Sequence, residues 1–328
     1  MVFPFWGLIP ESLEEPDQHR FEELAKIGSN FLELSDHPSK ADVILLPFEY
    51  VFDQYQQIYN AIQHISLQYN KPSLIFFNND SDREIIFENA FVFRTSYSSK
   101  SKRNRVYALP AWSDDFVSKG NIIVRRKSNI PTVGYCGYVD FCSTRELIKS
   151  KGWKKSLRFL IFKISPFAEG EKIRGLAVRI LNKAKNIKSH FIIRKGFWAY
   201  EIPDKKMARD EYVQNIINSD YVLSTRGGGN FSYRFYEVLS CGRIPLFINT
   251  DSALPYEEFI DWRNEIVWVE EKQIRKVASI LKSFHHNLTA EGFIAKQHSI
   301  RRIYDEWISP VGFHRNLYRI VLNNQNTH

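Results

Sequence analysis

The chain has 328 residues, 44% hydrophobic and 25% charged, and carries a formal net charge of +8. That length holds two domains of ordinary size, and the composition excludes a disordered or fibrous chain. Three cysteines, Cys136, Cys142 and Cys241, show no CxxC spacing, which argues against a disulfide framework and a zinc site.

The first half alternates strand and helix signals. Residues 11–27 carry a helix pattern through Leu13, Phe21 and Leu24, opened by Ser12 with Glu15 three residues on. Residues 41–47 form a short apolar run ended by a proline, which predicts a buried parallel strand. Helical spacing follows over 54–69, then apolar strand runs at 73–77 and 90–94, the first stopped by the turn residues 78–82. This order predicts a doubly wound parallel sheet. Residues 100–105 read as a surface loop and 121–125 as a further strand. Ser128, Asn129 and Pro131 mark an interdomain linker.

The second half repeats the scheme. Strands are expected at 132–138, 191–193, 221–224, 244–248 and 266–269. Helices are expected over a long basic stretch ending at Lys188, and at 210–218, 232–240, 272–284 and 290–307. The fold class is therefore α/β, with two consecutive nucleotide-binding-like halves. The expected division is 1–127, 128–305, and a C-terminal segment 306–328 that packs back on the first domain.

The positive charge suits an anionic partner such as a nucleotide diphosphate, a nucleic acid or an acidic membrane. Its three clusters are read as solvated helix faces: Arg125 to Lys127, Lys149 to Lys163, and Lys172 to Lys188, the last including Arg174 and Arg179. No nucleic-acid-binding motif accompanies them. The mixed basic and apolar run at 153–163 reads as an amphipathic helix whose edge can rest on an anionic membrane near a lipid-linked acceptor. No apolar run reaches the ~18 residues a spanning helix needs, and residues 1–7 lack a signal pattern. The expectation is a soluble cytoplasmic protein with at most peripheral membrane contact. The 25 phenylalanines are read as core.

The informative stretch is 219–248. A buried strand leads into Gly227, Gly228 and Gly229, and a helix follows at once. Glycines let the backbone turn sharply and approach a ligand, and the helix start presents amides and partial positive charge to a diphosphate. Arg226 and Arg234 add bidentate donors for phosphate oxygens. Asn230 and Ser232 lie within the same turn. Glu237, three residues after Arg234, shares its helix face, where a carboxylate can accept both hydroxyls of a ribose. Tyr256, beyond the next strand, is read either as stacking on the base or sugar or as anchoring its loop to the core.

This string, with Arg234, Glu237, Gly242 and Pro245 followed by Leu254-Pro-Tyr256 and Ile260-Asp-Trp262, resembles the C-terminal half of exostosin-like glycosyltransferases (family 47). The resemblance is specific over residues 212–281 and looser upstream at 41–47 and 131–137. It implies a GT-B fold: two facing Rossmann-like domains, the first on the acceptor side and the second holding a nucleotide-sugar donor. It also implies an inverting transfer with no cofactor and no catalytic metal, a UDP-sugar as the favoured donor and an oligosaccharide or lipid-linked glycan as acceptor. Arg243 departs from the small residue or cysteine frequent there. The nearest rival is a GDP-sugar-dependent fucosyltransferase-like GT-B enzyme; a noncatalytic sugar- or nucleotide-binding module is the alternative outside enzymes.

Inverting transfer needs a carboxylate base and cations for the leaving diphosphate. Arg226 and Arg234 suit the second task. For the base, ligands sit at the carboxyl ends of strands in α/β folds, so Asp80, after the 73–77 strand, ranks first and Glu49, after the 41–47 strand, second. Asp53, Asp82 and Asp140 are weaker candidates. Asp80-Ser-Asp82 also spells the D-x-D of metal-dependent transferases, a short match in an Asx-rich turn. Histidines 285, 286, 298 and 314 lack metal-ligand spacing and read as surface or packing residues.

Overall fold

The computed structural model describes residues 26–28, 30–46, 48–101, 103–117, 121–141, 170–196 and 201–323. Nearly all of the helix expected at 11–27 lies outside the described residues, as do Pro47, Cys142 and the amphipathic run at 153–163.

Two parallel sheets make up the α/β frame. The first, ordered β1-β2-β3-β4, consists of β1 (Ile44–Leu45), β2 (Ser73–Phe77), β3 (Ala90–Arg94) and β4 (Val106–Ala108), with α1 (Gln56–Gln68) between β1 and β2. Every residue of β2 and β3 is buried, as expected of near-continuous apolar runs covered on both faces. The expected buried strand at 41–47 reduces to two half-buried residues paired with Ser73 and Leu74. It is the sheet's edge, which explains its shortness.

The second sheet, ordered β6-β5-β7-β8-β9, comprises β5 (Thr132–Tyr138), β6 (Lys188–Arg194), β7 (Tyr221–Ser224), β8 (Ile244–Asn249) and β9 (Val267–Glu270). Its helices are α2 (Gly170–Lys183), α3 (Lys205–Ile217), α4 (Tyr233–Ser240), α5 (Trp262–Glu265), α6 (Val277–Asn287) and α7 (Ala290–Ile303). The strand order reverses between β5 and β7, and a parallel sheet opens a ligand crevice at the carboxyl ends beside such a point.

Residues 121–125 form no strand. The extended segment is held by side chains instead of a ladder: Gln297 Oε1 accepts from the Arg125 amide at 2.9 Å, and Arg243 donates to the Ile123 carbonyl. Arg243, only 1% exposed, also donates to the Ile217 carbonyl and to Gln297. Burial lowers its pKa to about 10. Its role is to lock this crossing segment to the second sheet.

The final helix, α8 (Pro310–Asn323), starts at a proline after a π-turn at Tyr304–Ile308. Phe313, Leu317, Ile320 and Val321 join one cluster with Leu74, Phe76, Phe91 and Phe93 of the first sheet and Phe235, Leu239 and Phe247 of the second. Trp112 Nε1 donates to the Ile308 carbonyl at 2.8 Å. One hydrophobic cluster thus spans both sheets and fixes how their edges meet.

Candidate functional site

The two carboxyl edges converge on the turn after β7. A Cβ built on Gly228 would lie 2.6 Å from Asp80 Oδ2, and one built on Gly229 would lie 2.8 Å from both the Asp80 Cα and Oδ1. Asp80 follows β2, so the first sheet's carboxylate rests directly on the second sheet's glycine turn. None of the three glycines has positive φ; close approach, not a sharp left-handed turn, is what Gly228 and Gly229 serve. Gly229→Ala would press on backbone, whereas Gly228→Ala would meet only the far end of Asp80. Gly229→Ala is therefore expected to cost about 1–3 kcal/mol in denaturant unfolding and Gly228→Ala less.

Beside this contact the loops clasp each other. Ser98 and Ser99 donate to the two Asp251 carboxylate oxygens at 2.5 and 2.7 Å, and the Ala253 amide donates to the Tyr97 carbonyl at 3.0 Å. The Asn230 amide donates to Ser96 Oγ at 3.0 Å, and the Gly227 amide to the Phe231 carbonyl at 2.7 Å. Those two amides hold the turn's shape and are not offered to a ligand.

Three guanidinium groups gather behind the turn. Arg226 Nη2 reaches the Gly228 carbonyl at 2.9 Å. Arg234, in the first turn of α4, lies 4.4 Å from the Tyr135 ring and 5.4 Å from the Tyr212 ring, and its Nη2 donates to the Cys136 carbonyl at 2.6 Å. Gly137 makes room for it, since a Cβ there would sit 2.8 Å from Arg234 Nη2. The Nε atoms of Arg226 and Arg234 are both buried and find no acceptor among the described residues. Burial opposes the charge of Arg234, but Tyr212, Tyr135 and Glu237 outweigh it and raise its pKa.

The third cation corrects an expectation. Arg174 is not on a solvated face: it is 5% exposed and donates to the Tyr138 carbonyl at 3.2 Å and the Arg226 carbonyl at 2.9 Å. Burial lowers its pKa. The available signal was a pair of glycines in one helix. Gly170 abuts the Arg226 and Gly227 carbonyls, and Gly175 abuts that of Asp140, so α2 runs against the site's backbone.

Glu237 is 6% exposed. Its Oε1 accepts from Ser113 Oγ at 2.7 Å, its Oε2 accepts from the Tyr212 hydroxyl, and Arg209 stands 3.5 Å away. Arg234 and Glu237 do share a side of α4, with Tyr212 between them; neither Tyr212 nor Ser113 was singled out by sequence reasoning. A ribose at Glu237 would have to use its remaining lone pairs or displace these donors. Ser232 is the half-buried N-cap of α4 and makes no side-chain capping bond.

Two candidates turn away from the turn. Asn230 Oδ1 accepts from Thr250 Oγ1 at 2.8 Å and Ser252 Oγ at 3.0 Å, which fastens the next loop. Tyr256 is a core residue: its hydroxyl donates to the Phe313 carbonyl at 3.0 Å and its ring packs on Trp307. This is the placement that the anchoring reading expects.

On the first sheet's side, Glu49 is half-buried beneath Asn78. Burial pushes its carboxyl up to about 7, against the pull of the Asn78 backbone hydrogen bond. A carboxyl poised there can hold or release a proton at neutral pH. Asp53 is instead paired with Arg83 through both oxygens, at 2.6 and 3.0 Å. Asp82 lines a cavity of about 450 Å³ with Arg94 and Ser96. The Asp140 amide donates to the Glu171 carbonyl of α2.

A family model, the exostosin GT47 domain, matches residues 17–284. Exostosin-1 of Drosophila melanogaster is 27% identical over 108 residues, 33% of this chain and 14% of that protein. The Exostosin-1 homolog of Caenorhabditis elegans is 30% identical over 103 residues, 31% of this chain and 26% of that protein. Each alignment takes in only a minor part of the relative's own length. Among solved structures, WaaG, a glycosyltransferase involved in lipopolysaccharide biosynthesis, gives a TM-score of 0.36 at 12% identity, covering 98% of this chain and 97% of that one. TarM gives 0.38 at 10% identity, covering 77% and 50%.

Proposed function

The chain belongs to the exostosin GT47 family, and from that premise we propose that it moves a sugar from a nucleoside diphosphate, UDP in preference to GDP, to a glycan hydroxyl. The observation that carries this is the seating of Asp80 on the Gly228–Gly229 turn, which brings a carboxylate-bearing sheet edge onto a cation-bearing one. The donor diphosphate lies over the turn, against Arg226 and Arg234, with Arg174 holding the backbone beneath. Glu49 rather than Asp80 is the base, because a carboxyl near neutrality matches the proton it must take. Asp80 then faces the hydroxyls of the donor sugar.

The acceptor oxygen forms its bond to the anomeric carbon as the bond to the β-phosphate oxygen breaks. The hydroxyl proton passes to Glu49, and the electron pair leaves with the diphosphate, where the guanidinium groups meet the developing charge. Attack from the side opposite the leaving group inverts the anomeric centre. Two guanidinium groups and a helix N-terminus supply positive charge in place of a divalent ion.

The test is a screen of UDP, GDP and their sugars by thermal shift and by nucleoside diphosphate release, with and without EDTA. UDP is expected to raise the melting temperature with its concentration, and release from a UDP-sugar is expected to survive the chelator. Stabilisation by GDP alone would overturn the donor assignment. Activity lost in EDTA and restored by a divalent ion would overturn the role given to the arginines.

A further inference from the structure

We propose that Arg94 is a positioning residue, a single buried guanidinium that holds Asp80 and the glycine turn in register. The inference rests on the reading of that turn as the donor site.

Arg94 ends β3 and is 4% exposed. Arginine is almost never that deeply buried unless paired, and the usual partner is a carboxylate. This one donates to three backbone carbonyls: Nε to Ser96 at 2.8 Å, Nη1 to Arg83 at 3.0 Å and Nη2 to Ser81 at 2.6 Å. Residues 78–87, which carry Asp80, form no helix or strand. Their other backbone hydrogen bonds include the Ser81 amide to Asn79 Oδ1, the Arg83 amide to Ser81 Oγ, and Thr95 Oγ1 to the Asn79 carbonyl at 3.0 Å, and beyond Ser81 the exposed side chains of Arg83 and Glu84 pair with Asp53 and Arg103. Two of the carbonyls that fix the Asp80 loop to the sheet are therefore held by one side chain.

The third carbonyl belongs to the residue that meets the opposite wall. Ser96, whose carbonyl takes Arg94 Nε, offers its Oγ to the amide of Asn230 at 3.0 Å. Asn230 follows Gly229, the residue on which Asp80 rests. Arg94 is thus common to both sides of the Asp80–glycine contact: it holds the loop that brings the carboxylate and the residue that receives the turn. Only a planar fork can serve three carbonyls in these directions at once; a lysine ammonium is a point charge on a flexible stem.

The experiment compares Arg94→Lys and Ser96→Ala with the parent chain by hydrogen exchange, UDP thermal shift and UDP-sugar turnover. In Arg94→Lys the amides of 79–83 and of 227–231 should exchange faster together, by about tenfold or more, while β5 and β8 keep their protection. Turnover should fall about tenfold or more in kcat with little change in donor KM, since the diphosphate contacts persist. In Ser96→Ala, which keeps every Arg94 bond, only the turn should loosen, and this variant carries the test should the lysine chain not fold. Exchange that rises at 79–83 alone or throughout the chain overturns the proposal, as does a turn left unchanged in Ser96→Ala. Parent-like kcat in Arg94→Lys overturns it too. If UDP fails to stabilise the parent chain, the donor reading fails, while the joint exchange response still decides whether Arg94 links the two loops.

Discussion

Arg234→Met is expected to lower UDP-sugar turnover by 10²- to 10³-fold, about 3–4 kcal/mol of transition-state stabilisation, in a chain that still folds. The folding expectation comes from the surroundings. Arg234 lies between the Tyr135 and Tyr212 rings, whose faces a thioether packs against, and Glu237 keeps Ser113, Tyr212 and Arg209 as partners. What disappears is the Nε donor left without an acceptor, the Nη2 bond to the Cys136 carbonyl and a charge that Tyr212, Tyr135 and Glu237 keep in place against burial. Arg234→Lys should recover part of the loss, because it restores the charge without the fork. The measurements are kcat/KM on a UDP-sugar and the UDP-induced rise in melting temperature. Parent-like values for both in Arg234→Met would remove the leaving diphosphate from this turn.

The strands that frame this residue were legible because their burial is written in consecutive residues. Residues 73–77, 90–94, 132–138 and 221–224 were expected as strands and are β2, β3, β5 and β7 to the residue, each an apolar run bounded by turn formers. Shorter or tertiary features were not legible. Three residues of β4 show no period. Residues 121–125 look like a strand, but their hydrogen bonds go to Gln297 and Arg243, residues no local pattern connects with them. An aromatic residue in a loop, such as Tyr256, reads alike whether it stacks on a ligand or plugs the core. What decides is the Phe313 carbonyl, 57 residues downstream. Arg174 was hidden for the same reason: a charge run resembles a solvated face until the backbone it binds is in view. The spacing of Arg234 and Glu237 did place them on one side of α4, yet the Tyr212 hydroxyl that joins them comes from another helix.

Glu49→Gln should be the other severe variant, with a loss of 10²- to 10⁴-fold in transfer and a distinctive dependence on pH. Burial raises the Glu49 carboxyl from 4.5 to about 7, and a base must be ionised to act. In the parent chain kcat/KM should climb with unit slope as pH rises and level off above about 7; in Glu49→Gln that limb should vanish. Stability supplies a readout independent of activity. Between 4.5 and about 7 the folded chain holds a proton on Glu49 that the unfolded chain has released, so unfolding free energy declines as pH rises through this window. The contribution is complete below 4.5 and gone above about 7. Glu49→Gln has no such proton, so the difference between the two chains should shift in the glutamine's favour as pH rises from 5 to 8. A rate limb that persists in Glu49→Gln and disappears in Asp80→Asn would move the base to the carboxylate on the glycine turn. A stability difference that ignores pH would mean that Glu49 is solvated and has no raised pKa to offer.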